Sequence, residues 1–176
     1  MNVAITGGNG FIGSHLSKMI KKLGHKVIFI SKIKNNKAKN NYSFDEFFLN
    51  EINITIDCFI HLASPNYDYA RDNSLEDGIV NLTSNILEVL DKYNCSKLIF
   101  FSSAKIYGEP SLKKDFIFKE DTRPNPVSDY GKCKLKAENK IINHANNSNL
   151  DYLIYRMPLV YGTSNNSNIN KLLKFK

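Results

Sequence analysis

The sequence predicts an α/β fold, a doubly wound parallel sheet, and three observations carry that prediction. A glycine-rich turn, Thr6 to Gly13, joins a short apolar strand to an amphipathic helix. Beyond it, continuously apolar runs alternate with segments of helical period, the pattern that builds βαβ units and hence a parallel sheet. Two of those runs end in small residues, Ala63-Ser64 and Ser102-Ser103, and ligands of such sheets bind beyond the carboxyl ends of the strands.

Val3-Ala4-Ile5 is the first strand. In a strand-to-helix turn that meets a pyrophosphate, one glycine makes the tight turn, one lets the anion approach the backbone and one lets helix and strand pack closely. Gly7, Gly10 and Gly13 take those roles, and the following helix aims its unpaired N–H groups and positive dipole end at the anion. The residues fit both the G-x-G-x-x-G and the T-G-x-x-G-x-x-G spacing. Ile12, Leu16, Met19, Ile20 and Leu23 form the predicted buried face of the helix, with lysines opposite, and Gly24 ends it. Val27 to Ser31 reads as a strand buried on both faces. Lys34 to Asn41 reads as a surface loop, and Ser43 to Leu49 as a short capped helix without chemistry.

Asp57 to Ser64 is the next strand, Leu82, Ile86, Leu87 and Leu90 mark a helix, and Lys97 to Ser103 is another strand. Ser64, Ser102 and Ser103 therefore sit on the rim of the ligand site. His61, inside an apolar run, reads as a satisfied core or rim histidine. Cys58, Cys95 and Cys133 are odd in number and lack C-x-x-C spacing, so buried free thiols are expected rather than a disulfide framework or a metal site.

The chain has 176 residues, 42% of them hydrophobic and 23% charged, which suits a single domain over residues 1–176. No apolar run approaches the roughly 18 residues of a membrane span, and Met1-Asn2 lead straight into the first strand, so a cytoplasmic protein with no membrane partner is expected. The net charge of +7 is uneven: no Asp or Glu precedes Asp45, whereas Lys18, Lys21, Lys22, Lys26, Lys32, Lys34, Lys37 and Lys39 do. Solvated lysines in a chain rich in Lys, Asn and Ile account for this without a ligand; an anionic nucleotide is the functional alternative. Nucleic acid is disfavoured, because no aromatic residues interleave with the charge.

Asn125 to Lys134 is the deciding stretch. Pro126 cannot lie inside a helix, Ser128 or Asp129 can cap one, and Ala137, Ile141 and Ala145 repeat at helical spacing. Tyr130 and Lys134 thus lie one turn apart on one face. An ammonium near a phenol favours the phenolate, lowering its pKa from about 10 and making Tyr130 a usable proton donor or acceptor near neutral pH.

With these residues in place, the chain resembles the extended short-chain dehydrogenase/reductases, the NAD(P)-dependent nucleotide-sugar epimerase/dehydratase family. Thr6 to Gly13 matches its glycine turn; Asp57 with His61 to Ala63 matches D-x-x-x-H-L-A; Ser102 to Gly108 matches S-S-x-x-x-Y-G. Pro126, Tyr130, Gly131, Lys134 and Glu138 match P-x-x-x-Y-G-x-x-K-x-x-x-E, and Arg156 to Gly162 matches R-x-P-x-V-Y-G. The resemblance implies a Rossmann-type fold with Ser103, Tyr130 and Lys134 as catalytic residues. It implies cofactor contacts from Gly7, Asn9, Gly10, Phe11, Ile12, Gly13, Ser31, Lys32, Leu62, Ala63, Ser64 and Lys134. It also implies hydride exchange between a nicotinamide and C4 of a sugar, with Tyr130 moving the hydroxyl proton, Ser103 hydrogen-bonding the same oxygen and Lys134 holding the nicotinamide ribose. NAD-binding relatives place an acid at the end of the second strand; Ser31 stands there, followed by Lys32 and Lys34, so NADP is favoured over NAD.

Ile79 and Leu82 depart from the family's N-x-x-G-T, keeping only Thr83, and Cys133 replaces the usual Ser. Ala104 and Lys105 stand where the 4,6-dehydratases carry an acidic pair. The implied chemistry is therefore epimerisation or 4-ketoreduction of a nucleotide sugar, a UDP-sugar, and the run from Pro158 to Gly162 with Asn125-Pro126 looks most like enzymes of UDP-linked amino sugars. A dinucleotide-binding module without turnover is the non-enzymatic alternative. Extended relatives continue into a C-terminal substrate domain, most of which this sequence lacks. Leu153 to Tyr155 is expected as the sixth strand and Ile169 to Phe175 as a lone helix. The expected behaviour is dinucleotide binding with feeble turnover, and self-association or pairing with a complementary C-terminal chain.

Overall fold

The first strand, β1 (Asn2–Thr6), lies at the centre of the sheet, and its burial shows why: Val3, Ala4, Ile5 and Thr6 are all enclosed, as a strand covered on both faces requires. The computed structural model describes residues 1–32, 39–65, 75–108 and 117–162. After the glycine turn come α1 (Phe11–Lys22), β2 (Lys26–Ser31), β3 (Asn41–Ser43), α2 (Phe44–Phe48) and β4 (Cys58–His61). A π-helical turn over Glu76–Asn81 runs into α3 (Leu82–Lys92). Then follow β5 (Lys97–Ser103), a 3-10 turn over Ala104–Tyr107, α4 (Asp129–Ala145) and β6 (Asp151–Met157). The strands pair in parallel in the order β3-β2-β1-β4-β5-β6. This is the Rossmann order, with its direction reversing between β1 and β4, where ligands bind.

Side chains alternate across the strands into two cores. Ile28, Ile30, Phe59 and Phe100 pack against Phe47, Ile86, Leu90, Ala137 and Ile141 from α2, α3 and α4. On the other face Val3, Ile5, Val27 and Ile60 pack against Ile20 and Leu16 of α1. Ser43 begins α2 through a capping box: its Oγ accepts from Glu46 N at 3.1 Å, and its own N donates to Glu46 Oε2 at 2.8 Å. No helix among the described residues is long and apolar enough to cross a membrane. The three cysteines are free, Cys95 and Cys133 buried and Cys58 partly so.

Two expectations are corrected. Met19 and Leu23 do not belong to the buried face of α1; they are 58% and 69% exposed, and the buried stripe is Gly13, Ser17 and Ile20. Small residues let α1 lie close to the sheet, so the contact line runs through them and not through the largest apolar side chains. Asn41, expected in a loop, begins the edge strand β3 and is buried, with Phe29 N donating to Asn40 O at 2.8 Å. A three-residue strand of Asn, Tyr and Ser carries too little apolar pattern to announce itself. Residues 34–38 of the predicted loop and the predicted helix Ile169 to Phe175 lie outside the described residues.

His61 is buried as expected, and its partners fix its tautomer. Thr83 Oγ1 donates to Ile79 O at 2.6 Å, so it accepts from His61 Nε2 at 3.3 Å; His61 Nδ1 then accepts from Thr6 Oγ1 at 2.7 Å. Thr6 Oγ1 in turn accepts from Ala63 N at 3.2 Å. The relay has no place for a second ring proton. Burial, with the Lys134 charge adding to it, lowers the His61 pKa to about 3. A histidine depressed in the folded state binds its proton more readily unfolded, so its contribution is complete above about pH 6.5 and is lost as pH falls toward 3. The expected outcome is an acid-induced fall in the unfolding free energy, read from urea titrations between pH 6.5 and 4, that is larger in the native chain than in His61→Gln by on the order of a few kcal/mol. Parallel falls in the two proteins would refute it.

Candidate active site

The glycine turn is shaped by close approach. Gly7 has φ +69°, and a Cβ there would lie 2.8 Å from Ala63 N; a Cβ on Gly13 would lie 2.3 Å from Gly7 O. Gly10 is different: it is exposed, and a Cβ on it would meet only Gly7 O, at 3.2 Å. Gly10 is also the N-cap of α1, with no side-chain cap and no acid in the first turn. The first N–H groups of the helix are therefore available to an anion. This open backbone cradle, narrow on the sheet side and bare on the outer side, fits a dinucleotide pyrophosphate.

A cleft of about 710 Å³ opens from this turn along the carboxyl ends of β4 and β5. Gly7, Gly10, Phe11, Ile12 and Gly13 line one part, Leu62, Ala63 and Ser64 the next, and Ser103, Tyr130 and Lys134 the end beyond β5. The predicted residues Asn9, Ser31 and Lys32 are not in this lining. Asn9 and Lys32 are exposed, and Ser31 ends β2 beside the turn.

Local packing brings the three candidate catalytic residues together. Ser103 ends β5 and its Oγ accepts from Lys105 N at 3.2 Å, capping the 3-10 turn. Ser128 Oγ accepts from Gly131 N at 3.2 Å, capping α4. A Cβ on Gly131 would lie 2.6 Å from Lys105 O, so the start of α4 rests directly on the 3-10 turn. That contact sets Tyr130, one residue earlier, at the end of the cleft occupied by Ser103.

Lys134 is 2% exposed; its Nζ donates to Phe101 O at 2.9 Å and lies 4.8 Å from the Phe100 ring centre and 5.8 Å from that of Tyr130. Burial lowers its pKa to about 8, with Glu138 opposing. The expected lowering of the Tyr130 pKa is corrected: burial raises it, and a hydrogen bond with the Ser64 side chain offsets only part of the rise. The buried ammonium is committed to a carbonyl, and desolvation of the phenol wins.

Glu138 and Arg156, present in the sequence only as motif letters, form the main ion pair behind the site. Glu138 is fully buried, and Arg156 Nη2 donates to its Oε2 at 2.9 Å. Arg156 Nη1 donates to Tyr107 Oη at 2.9 Å and to Glu120 O at 3.2 Å, while Tyr107 stacks on Phe118 at 5.2 Å. The guanidinium thus ties α4, β6 and the 3-10 turn together. The position of Glu138 one turn after Lys134 was the available signal. Residues Met157 to Val160 and Ser102 also line the cleft. Ser102 Oγ is buried and, among the described residues, has no hydrogen-bond partner. Among the described residues no three His, Cys, Asp or Glu side chains gather into a metal site.

Comparison with known proteins agrees with this fold. Residues 3–174 match the family model described as "NAD dependent epimerase/dehydratase family". The chain is 32% identical over 176 residues to a Methanocaldococcus jannaschii protein provisionally named a UDP-glucose 4-epimerase, covering 91% of this chain and 56% of that protein. Among solved structures, the UDP-N-acetylglucosamine 4-epimerase of Bacillus cereus superposes with a TM-score of 0.83 at 25% identity, covering 99% of this chain and 61% of that one. A UDP-glucuronic acid 4-epimerase from Bacillus cereus, solved in complex with NAD, superposes at 0.79 with 26% identity, covering 100% and 64%. The chain spans about half the length of the curated relatives it matches.

The buried Lys134 yields a stability test. A lysine whose pKa falls on folding binds its proton more readily unfolded, so stability rises with pH between about 8 and 10.5. Below that window the buried ammonium costs up to about 3 kcal/mol. Lys134→Met is expected to raise the urea midpoint at pH 7, and its advantage is expected to shrink by pH 10. A variant less stable at both pH values would show that the hydrogen bond to Phe101 O outweighs desolvation.

Proposed function

Because the chain belongs to the NAD dependent epimerase/dehydratase family, we propose that it carries the cofactor and proton-transfer site of a UDP-sugar 4-epimerase. The observation that supports this most is the convergence of the glycine turn with Ser103, Tyr130 and Lys134 on a single cleft. The named functions of the similar proteins point to the same reaction and favour epimerisation over 4-ketoreduction.

In this reading the N–H groups of Phe11, Ile12 and Gly13 hold the pyrophosphate, Gly10 N donating to Gly7 O within the turn, and Leu62 to Ser64 border the dinucleotide. Bound there, the nicotinamide supplies a reversible hydride acceptor for sugar C4. Tyr130 exchanges the proton of the C4 hydroxyl, Ser103 hydrogen-bonds the same oxygen, and Lys134 holds the nicotinamide ribose. With its pKa raised by burial, the Tyr130 phenol is protonated at neutral pH. It therefore acts most readily as an acid, returning the proton when the keto group at C4 is reduced, and its base step gains from higher pH.

At the adenosine end the proposal takes NADP(H) over NAD(H). Ser31 closes β2 where an acid would repel a 2′-phosphate, and the exposed Lys32 follows it. Titration calorimetry is expected to give NADP(H) the tighter binding; equal or tighter NAD(H) would reverse the choice. The substrate half of the reading rests on Tyr130. In NMR assays of UDP-glucose and UDP-galactose interconversion, Tyr130→Phe is expected to lose roughly 10²- to 10⁴-fold in rate with dinucleotide affinity unchanged. Full activity of Tyr130→Phe would end the assignment, and dinucleotide binding without turnover by the native chain would favour a binding module instead.

A further inference from the structure

One polar atom beside the cleft stands apart from the pairing around it. His61 is held at both ring nitrogens, Lys134 Nζ donates to Phe101 O, and Glu138 accepts from Arg156. Ser102 lines the same cleft and is 5% exposed, yet its Oγ is enclosed and has no hydrogen-bond partner among the described residues. A buried hydroxyl left unpaired is rare, because it gives up its bonds to water and gains nothing in return.

The place of Ser102 in the strand says what can supply the partner. Alternation along β5 puts it on the face of Leu98 and Phe100, the face that α3 and α4 cover. The Lys134 ammonium reaches that same face, 4.8 Å from the centre of the Phe100 ring, and the carbonyl it bonds belongs to the peptide link into Ser102. Ser102 is therefore the direct neighbour of the group assigned to the nicotinamide ribose, and it precedes Ser103, assigned to the sugar oxygen. A serine hydroxyl moves among three staggered positions by rotation of a single bond. Here the rotation breaks no existing hydrogen bond, and a ribose hydroxyl can both donate to a serine Oγ and accept from it.

We infer that Ser102 is a further cofactor-binding residue, whose hydroxyl turns into the cleft and pairs with a hydroxyl of the nicotinamide ribose when the dinucleotide binds. The inference rests on the proposed placement of that ribose at Lys134. It is independent of the sugar substrate.

The test compares the native chain with Ser102→Ala by thermal unfolding and by calorimetric titration with NAD⁺, NADP⁺, ADP-ribose and ADP. Ser102→Ala is expected to raise the Tm of the ligand-free chain by about 2–4 °C, since it deletes an unpaired buried hydroxyl. Affinity for NAD⁺, NADP⁺ and ADP-ribose, which share the ribose in question, is expected to fall about tenfold in the variant, and affinity for ADP, which lacks it, to stay unchanged. An unchanged or lower Tm would overturn the inference by showing the hydroxyl already paired, with water for instance, in the ligand-free chain. A raised Tm with unchanged dinucleotide affinity would overturn it too, leaving a hydroxyl that no ligand uses. A loss shared equally by ADP, or one confined to the two dinucleotides, would do the same by assigning the hydroxyl to another part of the cofactor. Each of these results leaves the dinucleotide reading intact, whereas failure of the native chain to bind any of the four would bring down that reading and this inference together.

Discussion

The ligand end of this sheet depends on how closely three pieces of backbone approach at the first turn. A Cβ on Gly7 would strike the amide of Ala63, and one on Gly13 would strike the carbonyl of Gly7. The absence of these side chains lets α1 begin directly over β1 while the segment after β4 presses against the turn. Thr6 completes the junction by accepting from Ala63 N while donating to His61. The floor of the cleft is therefore a consequence of exclusion: nothing bulkier than hydrogen fits, so the chain has one way to pass.

The opposite wall is held by polar groups taken out of water. The ammonium of Lys134 is enclosed and satisfied by the Phe101 carbonyl, and the Tyr130 phenol is partly buried beside Ser64. Each group is displaced from its ordinary protonation behaviour by burial, with partners offsetting only part of the cost. The pair is thus set by desolvation first, opposed by Ser64 at Tyr130 and by Glu138 at Lys134, and not by the mutual charge that helical spacing alone implies.

Much of the fold was legible because each step had its own physical signal. The continuous apolar runs of β1, β2 and β5 can lie only in a sheet covered on both faces, and Pro126 with Ser128 leaves α4 one place to begin. The sixth strand, expected at Leu153 to Tyr155, lies within β6. What stayed hidden depends on distance in space. The face of α1 was misjudged because packing follows small residues, and Asn41 carried no pattern in a strand three residues long. The Tyr130 shift required knowing what covers the ring. In the site, Ser103, Tyr130 and Lys134 were legible as types at a spacing, whereas the pairing of Glu138 on α4 with Arg156 on β6 appears in no local window.

That pairing constrains how the sequence can drift. A carboxylate with no exposure is tolerable beside the Arg156 guanidinium, but losing Arg156 strands Glu138 in the interior, a change of about 3–5 kcal/mol, whereas losing Glu138 leaves a partly exposed guanidinium. Replacement of both by apolar residues of similar volume avoids that penalty yet also releases Tyr107 and the Glu120 carbonyl from Arg156. Positions 138 and 156 are therefore bound in inheritance as well as in space: among descendants of this chain they should be found changed together or kept together, with single replacements of Arg156 the rare class.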